Sequence, residues 1–212
     1  MKGPIHLRSW RTTASRLLWH DDRAAQLVEF ALALPLLMVF VVGIFDFSGA
    51  YTLKQKLTNV ARDAARVAAA DPASDLAQPS GIPASVQDAF QVVDNYLLAN
   101  KINPCGINVA GGFFTAPATW KFSANGNGCV GTGLVVTINR GYYFPMTAGG
   151  APAVLTCVPP DPAGGPQPAV ISTCVSIQYA YQWRFGRAAR LLGSTMTLPT
   201  TINAISVSMN EN

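Results

Sequence analysis

From Leu27 to Phe45 the chain reads LVEFALALPLLMVFVVGIF, 19 residues with one ionisable group, Glu29. At 1.5 Å of rise per residue this run makes roughly 28 Å of helix, enough to cross the hydrocarbon core of a bilayer. A stretch that apolar on every side has no solvent-facing surface to offer, so it must be buried in lipid or against other protein. Basic residues precede it and Asp46 follows it. The positive-inside rule then predicts residues 1–23 in the cytoplasm and the remainder on the far side of the membrane. Two simpler readings compete. A secretory signal carries an apolar stretch of about 7–15 residues, shorter than this one, although Ser48 and Ala50 form a small-x-small pattern that would release the chain at Tyr51. The other is a plain membrane anchor.

Charge sharpens the picture when divided by position. Residues 1–23 hold five of the 15 basic residues (Lys2, Arg8, Arg11, Arg16 and Arg23) against Asp21 and Asp22. The rest of the chain has ten basic and nine acidic residues, a net of +1, so the sequence pI near 9.0 belongs largely to the N-terminus. A nucleic-acid-binding domain would keep its basic surface in its folded part, so no nucleic-acid partner is expected. Both histidines, His6 and His20, also precede residue 24. Ser-His-Asp and Cys-His catalysis and imidazole metal sites are thereby excluded from the remainder. The carboxylates Asp71, Asp75, Asp88, Asp94 and Asp161 are scattered, and no P-loop, dinucleotide fingerprint or nucleophile elbow is present. The chain is read as a non-enzyme with no cofactor, no metal and no catalytic residue.

The helical pattern continues past the apolar run. In FSGAYTLKQKLTNVARDAARVAAADP, Tyr51, Leu53, Leu57, Val60, Ala64 and Val67 recur at roughly helical spacing between Lys54, Lys56, Arg62, Asp63 and Arg66. Asp71-Pro72 ends it. One helix over 25–71 is about 70 Å long, apolar all round in its first half and amphipathic in its second. A plain anchor has no need of that continuation, whereas a subunit that packs laterally and carries a head does. Within the span, Pro35 removes a backbone hydrogen bond and loosens the helix, and Glu29 is a carboxylate that costs free energy in lipid.

The segment Arg23-Ala-Ala-Gln-Leu-Val-Glu29-Phe30-Ala-Leu-Ala-Leu-Pro35 resembles the N-terminus of TadE-like pseudopilins of the tight-adherence (Tad, Flp) pilus system. Family members have a short basic leader, a small residue that is usually Gly, four residues, Glu, an aromatic and an apolar helix with proline. The resemblance covers about residues 23–71. It implies a leader over 1–24, removed by a prepilin peptidase between Ala24, standing where Gly is usual, and Ala25. It also implies a minor pilin or pseudopilin that joins or primes a pilus for adhesion or secretion, starting in the inner membrane. Partners would be other pilin subunits packed helix to helix, the assembly platform and membrane lipid. Glu29 would pair with the freed α-amino group of Ala25 on a neighbouring subunit and set the register, with Phe30 and Pro35 beside it. A major filament subunit, an anchored periplasmic binding domain that never assembles and a carboxylate-dependent envelope hydrolase are the alternatives.

Beyond the helix, residues 72–84 (PASDLAQPSGIPA) have a linker's composition. Ser85 is expected to open a second helix, with Asp88 in near capping-box spacing and Val86, Phe90, Val93, Leu97 and Leu98 as its apolar face. Leu134, Val136 and Ile138 alternate with polar or outward residues, as do Val175, Ile177, Tyr179, Tyr181 and Trp183, which predicts antiparallel strands with one buried face. The runs LVVTINRGYYFPM and CVSIQYAYQWRFG look alike, although two copies do not make a repeat protein. A last strand covers about 201–209, and 147–170 reads as a long loop. The fold expected is α+β: a long membrane helix carrying a pilin-like head over 85–212. Four cysteines outside the cytoplasm imply two disulfides. Cys105–Cys129 and Cys157–Cys174 are favoured over the other two connectivities, because each pair brackets a Gly/Pro/Asn-rich segment. No C-x-x-C is present, which speaks against zinc or redox chemistry. Arg184, Arg187 and Arg190 are read as a solvated basic edge, with an anion or lipid-headgroup contact as the functional alternative, and Tyr142, Tyr143 and Phe144 as core or edge packing, with a partner surface as the alternative.

Overall fold

The computed structural model describes residues 22–77, 81–109, 111–116, 118–145, 157, 169–185 and 198–211. The long helix α1 runs over Asp22–Ala70, through Pro35. A 3-10 turn over Ala73–Ala77 and the helix α2 over Ala84–Ala99 follow. A second 3-10 turn, Ile107–Val109, leads into five strands: β1 Phe113–Ala116, β2 Thr119–Ala124, β3 Leu134–Pro145, β4 Ala169–Ala180 and β5 Thr201–Met209. They form one antiparallel sheet in sequential order. This is an α+β head built on the far half of an N-terminal apolar helix.

The second half of α1 is the spine of that head. Leu57, Val60, Ala61, Ala64, Ala65 and Ala68 are fully buried at steps of three and four, the stripe a helix presents to a core. The alanines keep the helix surface thin, so α2 and the sheet both approach it closely. Facing them are Leu134, Val136 and Ile138 of β3, Val175 and Ile177 of β4, and Ile202 and Ala204 of β5. The register explains why these meet, since Val136 lies opposite Ile177 and Ile138 opposite Val175. A smaller cluster on the other face gathers Tyr142, Phe144, Ile205 and Val207 around Cys157 and Cys174.

Several local features depart from the sequence reading. Residues 72–84 are more than a linker: the turn at Ala73–Ala77 holds Asp75, whose Oδ2 accepts from the Ser85 N–H at 2.9 Å. The helix opens at Ala84 with Pro83 at its cap and no side-chain cap bond, so Asp75 supplies from outside what Ser85 and Asp88 were expected to supply from within. Leu98 is 54% exposed, and Ala89 joins Val86, Val93 and Leu97 on the buried face. β4 ends at Ala180, so Tyr181 and Trp183 lie beyond it. Most of the expected loop 147–170, like the leader 1–21, Arg187 and Arg190, lies outside the described residues.

Two disulfides staple the head, Cys105–Cys129 and Cys157–Cys174, with Cα–Cα distances of 5.6 and 5.5 Å. The first ties the approach to β1 to the β2–β3 connection. That connection returns through Gly133 at φ +66°, where a Cβ would lie 2.1 Å from the Ala124 carbonyl oxygen, so only glycine closes the hairpin there. The second holds residue 157 on β4, helped by Asn139, which donates to the Cys157 carbonyl at 2.9 Å.

Candidate functional site

The first half of α1 has almost nothing packed on it. Only 6% of its most apolar window is buried within the chain. Leu27, Val28, Phe30, Leu32, Leu37, Met38, Phe40 and Ile44 are all exposed, and Phe45 is 75% exposed. An apolar surface of that extent marks a face that lipid or other subunits cover. It is one helix long and apolar enough to cross a membrane.

Ala25, Glu29 and Phe30 lie together near the start of this helix, all exposed. Ala25 and Glu29 are four residues apart and so share a face. Ala24 lies in the same helix. Among the described residues Glu29 makes no side-chain hydrogen bond or ion pair. Pro35 sits mid-helix, where it withholds a donor from the Ala31 carbonyl. The remaining residues singled out from the sequence are elsewhere: the cysteines staple the head, and Tyr142 is buried against the second disulfide rather than displayed.

A second feature was not legible as a site. At Asp46 the helix meets the segment after β4. Asp46 is 7% exposed, and both carboxylate oxygens are engaged. The Tyr181 hydroxyl donates to Oδ1 at 3.1 Å, and the Phe185 N–H donates to Oδ2 at 2.8 Å. Phe47 stacks obliquely on Trp183 and Phe185, with centroids 5.1 and 5.8 Å away. Gly43 makes room for Phe185, since a Cβ there would lie 2.9 Å from the ring. The segment is held from the other side too. The Tyr181 N–H donates to the Thr200 carbonyl at 2.9 Å, and the Trp183 indole donates to the Pro199 carbonyl. The result is a neck of aromatic side chains around one carboxylate, placed where the apolar run ends. Burial pushes the Tyr181 hydroxyl above its ordinary pKa, and the bond to Asp46 and its negative charge push the same way, while Arg184 opposes them.

At the other end of the head, Arg140 is fully buried. The β3–β4 register shifts between Asn139 and Tyr142, a bulge that contains Arg140 and Gly141. The Arg140 Nη2 donates to the Asp71 carbonyl at 2.8 Å, capping the C-terminus of α1 with a cation. Burial lowers its pKa, and the charges of Asp75 and Asp71 raise it. The sequence signal was present: a lone base in an apolar alternation, followed by Gly.

Residues 24–66 match the family model described as TadE-like protein. The match takes in Ala24, Ala25, Glu29, Phe30, Pro35 and the neck residue Asp46, and stops short of the sheet. No curated protein and no solved structure matches the chain.

Proposed function

We propose, from the TadE-like match over residues 24–66, that this is a Tad-pilus-associated, pilin-like protein working as a minor pilin or pseudopilin. It acts by assembly rather than by turnover. The apolar half of α1 holds the precursor in the inner membrane, with the basic leader in the cytoplasm and the stapled head outside. A prepilin peptidase cuts between Ala24 and Ala25. The exposed apolar face then leaves lipid for the helices of other subunits as the assembly platform adds the protein to a filament used in adhesion or secretion.

The observation that carries this reading is the surface around Glu29: a carboxylate without a partner among the described residues, on an uncovered apolar helix, four residues from Ala25. A carboxylate moved into low dielectric needs a positive partner. The α-amino group freed at Ala25 of a neighbouring subunit supplies one, and the pairing fixes axial register.

The test is the N-terminus of the protein from native membranes, by intact mass and N-terminal peptide sequencing. A start at Ala25 is expected. A start at Met1 would favour an anchored domain that does not assemble, and a start at Tyr51 would mean ordinary secretion without the helix.

A further inference from the structure

We propose that the neck is a binding collar for anionic phospholipid headgroups, taking the phosphate of a lipid in the leaflet that faces the head. The proposal rests on the reading of α1 as a membrane span and adds a ligand to it.

Two grooves flank α1 where its apolar run ends. One, of about 650 Å³, is lined by Val42, Phe45, Asp46, Gly49, Tyr181 and Arg184. The other, of about 390 Å³, is lined by Phe47, Tyr51, Lys54, Trp183 and the start of β5. Among the described residues each combines apolar and aromatic walls with one cation, Arg184 in the first and Lys54 in the second. Aromatic rings with one apolar and one polar edge favour the depth of the headgroups. A guanidinium or ammonium at that depth meets lipid phosphate, and the guanidinium can do so through two parallel hydrogen bonds.

The first groove also holds a carboxylate, which is buried while the cation is exposed. Among the described residues Asp46 is the one acid lining them, and its two oxygens face inward, accepting from the Tyr181 hydroxyl and the Phe185 N–H. Among the described residues neither Arg184 nor Lys54 makes an ion pair. Phe45, Phe47 and Tyr51 are exposed on the same stretch of helix. The grooves are thus continuous with the lipid-facing surface, each offering apolar and aromatic walls with an exposed cation, Arg184 or Lys54. A phosphodiester headgroup with its glycerol and upper acyl carbons has that profile.

The experiment places the full chain in nanodiscs of phosphatidylcholine and phosphatidylglycerol, releases it in a native mass spectrometer and reads the ratio of the two lipids retained. The wild type is expected to retain phosphatidylglycerol in preference. The double variant Lys54→Gln, Arg184→Gln is expected to lose that preference by about fivefold for each cation, the usual scale for a base near an anionic surface. The variant Lys54→Arg, Arg184→Lys is expected to keep it. The basic leader contributes equally to all three chains, so the difference between them reports the collar. An unchanged lipid ratio in the double variant overturns the proposal. If filament incorporation falls while the ratio stays unchanged, the collar contacts a neighbouring subunit instead. Failure of the anchor reading looks different: the chain would not copurify with nanodiscs of either lipid.

Discussion

At the scale of single residues, the chain depends on two charges that it buries. Arg140 reaches from the β3 bulge to the last carbonyl beyond α1, and its removal leaves that carbonyl and the acids Asp71 and Asp75 without their cation. Arg140→Ala is expected to destabilise the head by about 3 kcal/mol, read from urea unfolding, with Arg140→Lys recovering part of the loss. Asp46 plays the corresponding part at the neck. Asp46→Ala strands the Phe185 N–H and the Tyr181 hydroxyl and is expected to cost about 1–3 kcal/mol, visible as faster amide exchange at Phe185. The same contact makes the neck sensitive to alkali. The folded pKa of Tyr181 lies above its ordinary value of 10.0. Its stabilising contribution is therefore complete below pH 10 and lost as pH rises through the folded value. The protection of the Phe185 amide relative to its base-catalysed intrinsic exchange should fall above pH 10 in the wild type and much less in Tyr181→Phe. These two charges illustrate what a linear reading misses. Asp46 looks like the polar end of a span until Tyr181 and Phe185, more than a hundred positions away, close on it. Arg140 looks like a solvated base until the bulge turns it inward.

At the scale of elements, the sequence spoke most clearly where periodicity was long. The helix from before Ala25 to Ala70, the alternation centred on Leu134–Ile138 and on Val175–Ile177, and the strand from Thr201 all express themselves in regular apolar spacing. β1 and β2 did not. β1 is four residues, FFTA, without alternation, and β2 hides its buried Trp120 and Phe122 among turn-forming neighbours. The start of α2 was misplaced for a different reason, because its cap comes from Asp75 in another element. The meeting of α1 with the segment after β4 relies on small residues. Gly43→Leu would drive a side chain into the Phe185 ring and is expected to cost about 1–3 kcal/mol by overpacking. Chemical denaturation should show the loss, with altered emission from Trp183, whose ring neighbours Phe47.

At the scale of the whole molecule, two unlike halves share one helix. The half before Asp46 is exposed and apolar, and the half after Ala50 is the core of a stapled domain. On the proposed function, assembly chemistry belongs to the first half, so its lesions should spare the second. Glu29→Ala is expected to lower incorporation into filaments by about tenfold or more, counted by immunoblot of sheared pili, while unfolding of the head is unchanged. Equal incorporation would remove the register pairing. This division was legible from hydropathy alone, whereas the manner of joining was not. The buried row of Leu57, Val60, Ala61, Ala64, Ala65, Ala68 and Ala69 packs one face of α1 along the length of the head, against α2 and the sheet. Tension applied along the filament axis would therefore enter the head through its interior rather than through a hinge. The buried row must yield as one unit in shear, while a tethered head would peel away contact by contact. On the proposed function, a protein built this way would bear load in the same helix that anchors its precursor.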